Sequence, residues 1–291
     1  MSNPEAAFVV AERFGAAESP TWDAATGELF WCDIPAGTIH SLVIESGQRK
    51  RWSFGEPVAS FGLADSGRLV VALSSSIVFF NLETGKRELI ATIRLPAGVS
   101  RLNDGKVGPD GAFYVGSMDR SATTPQGALY RVDESGRTDI LTSGFSASNG
   151  LAWTGDGQTM FHSDSQGEMF VDRWDFCPQS GAISNRRRLR AHDLANGRAD
   201  GGAFDTASVY WSAAPSCSRL NCIALDGTLL RWVELPISKP AMPCFGGADM
   251  CTVYVTSLDS GLSGTGKDGI VSFRSAVPGL LPYIFGRRSA K

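Results

Sequence analysis

Four short segments set an oxygen-bearing side chain among glycines and small residues: Glu18 in AESPTW, Asn103 in RLNDGK, Asn149 in SASNGLAW and Asp200 in RADGGAF. Glycine lets the backbone bend tightly and lets other groups come close. Taken singly, Asn and Asp in such settings are turn formers that hydrogen-bond to their own backbone. Their spacing argues for more. Glu18 lies nine residues before Gly27, Asn103 eight before Gly111, Asn149 nine before Gln158 and Asp200 seven before Ala207, and each of those later positions opens the same kind of segment. Two carboxylates and two amide oxygens brought together make a hard, oxygen-only set. It suits one divalent ion, Ca²⁺, Mg²⁺, Mn²⁺, Zn²⁺ or Fe²⁺, and disfavours copper or iron–sulfur centres. So few protein donors leave positions for water and substrate, as in catalytic metal sites.

Other chemistries find no anchor. The three histidines, His40, His162 and His192, are far apart and form no H-E-x-x-H pair. There is no G-x-S-x-G elbow for a serine nucleophile and no glycine-rich loop opening a helix for phosphates. Six cysteines occur without a C-x-x-C pair or regular spacing, as buried thiols in a reducing compartment do.

The elements that must position the four residues are legible as a repeat. With 33 glycines, 14 prolines and no long 3.6-residue apolar periodicity, the chain reads as short strands between turns. Segments beginning at Gly27 (GELFWCD), Gly67 (GRLVVAL), Gly111 (GAFYVGS), Gln158 (QTMFHSD), Ala207 (ASVYWSA) and Cys251 (CTVYVTS) start 40, 44, 47, 49 and 44 residues apart. Four-stranded propeller blades have this period. In the second half of each unit, TIHSLVI, IVFFNLE, ALYRVDE, MFVDRWD, RLNCIAL and IVSFRSA alternate apolar with polar, as half-buried strands do. Six units use up the chain, and an N-terminal stretch remains to complete the last blade and close the ring. The expectation is an all-β, six-bladed β-propeller forming one domain over residues 1–291. Glu18, Asn103, Asn149 and Asp200 would lie on loops entering the innermost repeat strands, gathered at one end of the central channel.

A net charge of −3 gives no general attraction to nucleic acid. The basic run at 186–190 reads as a solvated strand edge that discourages sheet pairing. No stretch of eighteen apolar residues suggests a membrane span, and MSNPEAAFVVAERFG lacks the basic start and apolar core of a secretory signal. A cytoplasmic protein that is a monomer or weak homo-oligomer, with neither nucleic acid nor membrane as partner, is expected.

The chain resembles the gluconolactonase family that includes senescence marker protein (regucalcin) and luciferin-regenerating enzyme. The likeness runs through AESPTWD, WCDIPAGTIH, RLNDGKVGPDGAFYVGSM, GALYRVD, SASNGLAWTGDGQTMFHSDS, GAISNRR, RADGGAFD, KPAMPCFGGADMCTVYVTS and the closing PYIFG. The resemblance implies Glu18, Asn149 and Asp200 as metal ligands, Asp200 also as general base, and Arg101 and Asn103 as substrate contacts. It implies a small-molecule sugar lactone as substrate. Two departures stand out. Animal members carry a glutamate near the substrate in the loop after a G-T-M stretch, where this chain has a shortened Met118, Asp119, Arg120, Ser121, Ala122, Thr123, Thr124. Ala214, Pro215, Ser216, Cys217, Ser218 and Arg219 replace a Trp-Gly-rich turn of many bacterial members.

Metal-dependent hydrolysis of an aldonolactone to its sugar acid is therefore expected. Arg120 and Arg219, if directed into the channel, would favour a lactone bearing phosphate or sulfonate. Two alternatives share the same residues: a non-catalytic divalent-metal-binding scaffold, and a metal-dependent hydrolase of another ester or phosphoester.

Overall fold

The computed structural model describes residues 4–65, 67–119, 125–261 and 267–288. Its 24 strands form six antiparallel four-stranded sheets. The inner strands are, in chain order, Ala17–Asp23, Ser60–Ala64, Arg101–Val107, Ser148–Trp153, Gly202–Phe204 and Pro240–Gly246, and each packs against the next around a ring that closes from the sixth back to the first. These are the six blades of a β-propeller. Ala7–Val10 pairs with Ile270–Arg274 as the outermost strand of the sixth blade, so the two ends of the chain close the ring as expected.

The recurrent apolar segments are the second strand of each blade rather than the innermost. A second strand has a neighbour on both edges and blades on both faces, so it reads as a continuous apolar run. Glu28–Asp33, Thr159–Asp164 and Tyr210–Ala214 are buried at every position. The inner strands are the glycine-rich segments that carry the polar residues, because six of them converge on a narrow channel. Glu18, Asn103 and Asn149 accordingly lie within inner strands near their N-terminal ends, and only Asp200 precedes its strand.

Each interface between neighbouring blades holds its own apolar cluster, six in all, with Trp31, Tyr114, Phe161 and Trp211 among the largest buried side chains. The basic run lies on Ile183–Ala191, the outer strand of the fourth blade, as expected of an edge. Two of its arginines are not merely solvated: Arg186 and Arg188 each donate from Nε to the buried Asp172 at 2.6 Å. Among the described residues no helix is long and apolar enough to cross a membrane.

After the sixth blade, residues 277–287 run as a strap over the C-terminal ends of the inner strands. Leu280 N–H donates to Phe204 O (3.3 Å), Phe285 N–H to Leu63 O (2.8 Å) and Gly286 N–H to Gly111 O (2.9 Å), so the strap spans the channel from the fifth blade to the second. It roofs a cavity of about 90 Å³ lined by Trp22, Phe61, Trp153, Phe204, Leu280 and Tyr283. Phe285 anchors it, 2% exposed and edge-on to Phe79 at 5.4 Å. Phe285→Ala should lower stability by about 3–5 kcal/mol, the cost of emptying a buried aromatic site. Urea denaturation should show it as a lower midpoint at unchanged slope.

Candidate functional site at the channel mouth

The polar residues gather at the opposite end, where the inner strands begin. Antiparallel pairing would send alternate side chains away from the channel, but three of these strands bulge against their neighbours at the critical residues. Register shifts fall between Glu18 and Thr21, between Leu102 and Gly105, and between Asn149 and Ala152. A bulge re-aims side chains locally. The residue after the site residue takes a positive φ in two blades, 52° at Ser19 and 69° at Gly150. A Cβ on Gly150 would stand 2.4 Å from Ser163 Oγ, 2.6 Å from Tyr210 Oη and 3.1 Å from Asp200 O. Gly150→Ala should therefore displace both Asn149 and Asp200. The expected result is a loss of about 1–3 kcal/mol in denaturation and at least a tenfold drop in kcat/KM for the substrate assigned below.

A hydrogen-bond chain fixes the amides. Arg101 Nη1 donates to Leu102 O and to Asn103 Oδ1, both at 2.8 Å. Asn103 Nδ2 donates to Ser148 O (3.0 Å) and Asn149 Oδ1 (3.2 Å). Asn149 Nδ2 donates to Ser165 Oγ (2.7 Å), which donates to Ala199 O (2.6 Å). The Asn149 amide is thus oriented, its nitrogen donating to Ser165 and its oxygen accepting from Asn103. Each of the two amide oxygens accepts one hydrogen bond, Asn103 Oδ1 from Arg101 and Asn149 Oδ1 from Asn103, and each keeps a second lone pair. Asp200 is held by its backbone: its N–H donates to Ala213 O (3.0 Å), and the next N–H, of Gly201, donates to Ala241 O (2.9 Å).

Glu18, Arg101, Asn103, Asn149 and Asp200, from four different blades, come together as expected. Three charged residues join them unforeseen. Asp104 is 6% exposed, accepts the Leu151 N–H at 3.3 Å through Oδ2, and has no hydrogen-bond partner at Oδ1. Lys106 reaches across from the third blade to donate to Gly202 O in the fifth at 2.7 Å. Arg198 Nη2 lies 3.7 Å from Asp200 Oδ2. RLNDGK and RADGGAF contain all three, but strict alternation gives no reason for Asn103 and Asp104 to share a site; the bulge at Leu102–Gly105 supplies it. Arg120 lies outside the described residues. Arg219 sits on the third strand of its blade, stacked over Trp232 at 4.9 Å and donating to Asn221 Oδ1 and Asn196 O, so its charge is spent on its own blade and the adjoining loop.

The electrostatics are those of crowded carboxylates. Burial raises Glu18 well above the usual carboxylate range, Asp200 and Asp104 push it further, and Arg101 and Arg198 oppose them. Burial pushes Asp200 up to about 7 against the opposing pull of Arg198, with Asp104 adding to the rise. Asp104 is raised by burial and held down by Lys106 and by backbone N–H groups. Buried, mutually repelling oxygens are what a divalent cation relieves. Among the described residues no group of three or more His, Cys, Asp or Glu side chains is arranged to hold a metal by itself. A cation here would need the amide oxygen of Asn149 beside Glu18 and Asp200, and such a donor set would fit a hard cation.

The fold and mouth define a class: a six-bladed propeller with an oxygen-donor site where its inner strands begin. Residues 16–259 match the family model described as the SMP-30/Gluconolactonase/LRE-like region, and the chain belongs to that family. It is 34% identical over 241 residues to a 6-deoxy-6-sulfogluconolactonase from Pseudomonas putida, covering 82% of each chain. It is 32% identical over 275 residues to regucalcin from Bos taurus, covering 91% of each. Among solved structures, a calcium-binding protein, regucalcin, from Agrobacterium tumefaciens superposes with a TM-score of 0.90 over 99% of this chain and 100% of that one; at 22% identity this likeness speaks for the fold alone.

Proposed function

We propose that the chain hydrolyses a sugar lactone of the aldonolactone type to its sugar acid, using one divalent cation held by Glu18, Asn149 and Asp200. The observation that carries this reading is the convergence of two raised carboxylates with the oriented Asn149 amide at the end of the channel where the inner strands begin. Membership of the SMP-30/Gluconolactonase/LRE-like family and the relative named 6-deoxy-6-sulfogluconolactonase support it. When bound, the cation supplies positive charge where the lactone carbonyl oxygen gains negative charge.

The residues of the chain do the rest. Asp200 takes a proton from the attacking water, and a cation beside it would keep this carboxylate ionised at neutral pH and so able to accept one. Its fixed backbone spares the base a search for its position. Addition of water to the carbonyl carbon and cleavage of its bond to the ring oxygen open the ring; the proton taken by Asp200 passes to the ring oxygen, which ends as a hydroxyl, and the carboxylic acid formed at the carbonyl carbon ionises to the carboxylate, releasing one proton to solvent. Arg101 and Asn103, stiffened by their mutual hydrogen bond, orient the sugar hydroxyls.

The test is acid release from a panel of aldonolactones by metal-stripped protein, with Ca²⁺, Mg²⁺, Mn²⁺, Zn²⁺ or Fe²⁺ restored in turn and spontaneous hydrolysis subtracted. Turnover that returns with a cation supports the reading. Metal binding without turnover of any lactone would sink it in favour of a metal-binding scaffold or an esterase of other substrates.

A further inference from the structure

Arg198 stands on a loop built to hold it. The segment 192–200 joins the outer strand of the fourth blade to the inner strand of the fifth, and it is pinned along its length. His192 donates from Nδ1 to Gly197 O at 2.6 Å, and Asn196 O accepts from Arg219 Nη2 (3.0 Å) and Asn221 Nδ2 (3.2 Å). Gly197 takes φ +98° where a Cβ would come within 2.6 Å of the Ala214 Cβ, so the loop lies flat on the second strand of the blade. Arg198 N–H donates to Ser216 Oγ at 2.9 Å. The anchored backbone delivers one guanidinium to the channel mouth beside Asp200.

That guanidinium is only partly employed. Arg101, on the third blade, is committed to Leu102 O and Asn103 Oδ1. Arg198, on the fifth, has a loose 3.7 Å approach to Asp200; its Nε is buried without a hydrogen-bond partner among the described residues, while the side chain as a whole remains 29% exposed. The charges tell the same story. Among the described residues, Glu18 and Asp200 feel Arg198 as an opposing charge, and a divalent cation on those carboxylates would take over that role and leave the Arg198 guanidinium to answer another anion.

We propose that Arg198 determines specificity by binding an anionic substituent, a sulfonate, phosphate or carboxylate, carried by the lactone away from its reacting carbonyl, so that the substrates of this chain are acidic sugar lactones. The assignment rests on the lactonase reading above. A planar guanidinium with free N–H groups binds such oxyanions through charge-assisted, two-point hydrogen bonds. Arg219, expected to favour such a substituent if directed into the channel, instead holds the loop that presents Arg198.

Lactone pairs that differ only in the terminal group test it: gluconolactone against its 6-sulfonated, 6-phosphorylated and 6-carboxylated counterparts, with wild-type protein, Arg198→Gln and Arg198→Lys. The wild type should favour at least one anionic lactone in kcat/KM, and the anionic member of the panel used best names the group. Arg198→Gln should shrink that preference by about 10- to 100-fold, the range for a hydrogen bond to a charged group, and Arg198→Lys should keep part of it. Calorimetric titration of the ring-opened acids, with and without the terminal anion, reads the same discrimination without turnover. Absence of any preference in the wild type, or an equal loss on neutral and anionic partners in Arg198→Gln, would overturn the assignment; the equal loss would make Arg198 a positioning residue for Asp200. If no lactone is turned over while the wild type binds the anionic acids more tightly in an Arg198-dependent way, the anion site stands and the hydrolytic reading fails.

Discussion

Asp200→Asn should cut lactone hydrolysis by at least about 10³-fold while making the metal-free protein more stable. The first effect combines two losses. A general base typically contributes about 10²- to 10⁴-fold, and the same side chain is one of the two carboxylates proposed to hold the cation with Asn149. The second effect follows from crowding. In the folded protein burial and Asp104 push Asp200 up to about 7, against 3.8 for a free Asp side chain. Between those values the folded state binds more protons than the unfolded state, so stability falls as pH rises through the window and the penalty is complete above about pH 7. A shift of this size corresponds to a few kcal/mol, on the order of 1.4 kcal/mol per pH unit. The amide removes the charge and keeps the shape, so the penalty disappears. Thermal melts of metal-free protein at pH 8 should place the variant above the wild type, and melts at pH 4 should bring the two together. A variant that is both inactive and less stable at pH 8 would contradict the crowded-carboxylate account.

The sequence is most legible where burial is simplest. GELFWCD and ASVYWSA announce themselves because a second strand is covered on both faces, and their spacing then sets the number of blades. The inner strands are harder to see. Gly202–Phe204 is three residues long, and RLNDGKV mixes charges with glycine, so neither carries the apolar signature of a strand. This is why the recurrent segment is read as innermost when it is second. The site residues remain visible through their common phase, since a cyclic repeat carries equal phase into proximity. What departs from the repeat is hidden. Asp104 joins Asn103 only because of a bulge, Arg198 arrives on the longest of the connections from an outer strand to the next inner one, 192–201, and Lys106 acts by crossing the channel. The strap escapes notice for a related reason: with Pro278 and Pro282 it has neither strand alternation nor helical period, yet Phe285 is buried as deeply as a strand residue.

Cation binding should depend steeply on pH, and in the direction set by the same carboxylates. Glu18 and Asp200 both hold their protons above the usual range when no cation is present. A cation needs them ionised, so it must displace at least one proton below about pH 7. Affinity should then rise about tenfold per pH unit for each proton displaced, at least 100-fold between pH 5 and pH 7, and level off above the Asp200 value. Stability in the two states should diverge accordingly. The metal-free protein loses stability as pH rises, whereas cation at 100 times its Kd adds about 2.7 kcal/mol and at 1,000 times about 4.1 kcal/mol. For a chain of this size each kcal/mol moves the thermal midpoint by roughly 2–4 °C, so the gap between loaded and stripped protein should widen from a few degrees near pH 5 to ten or more near pH 8. Calorimetric titration in two buffers of different ionisation enthalpy counts the protons directly. Glu18→Gln should bind the cation at least about 100-fold more weakly and release fewer protons, because one charged donor is replaced by a neutral one. An affinity flat from pH 5 to pH 8 with no proton released would mean that the cation avoids these carboxylates, and the assignment of Glu18, Asn149 and Asp200 as its ligands would fall with it.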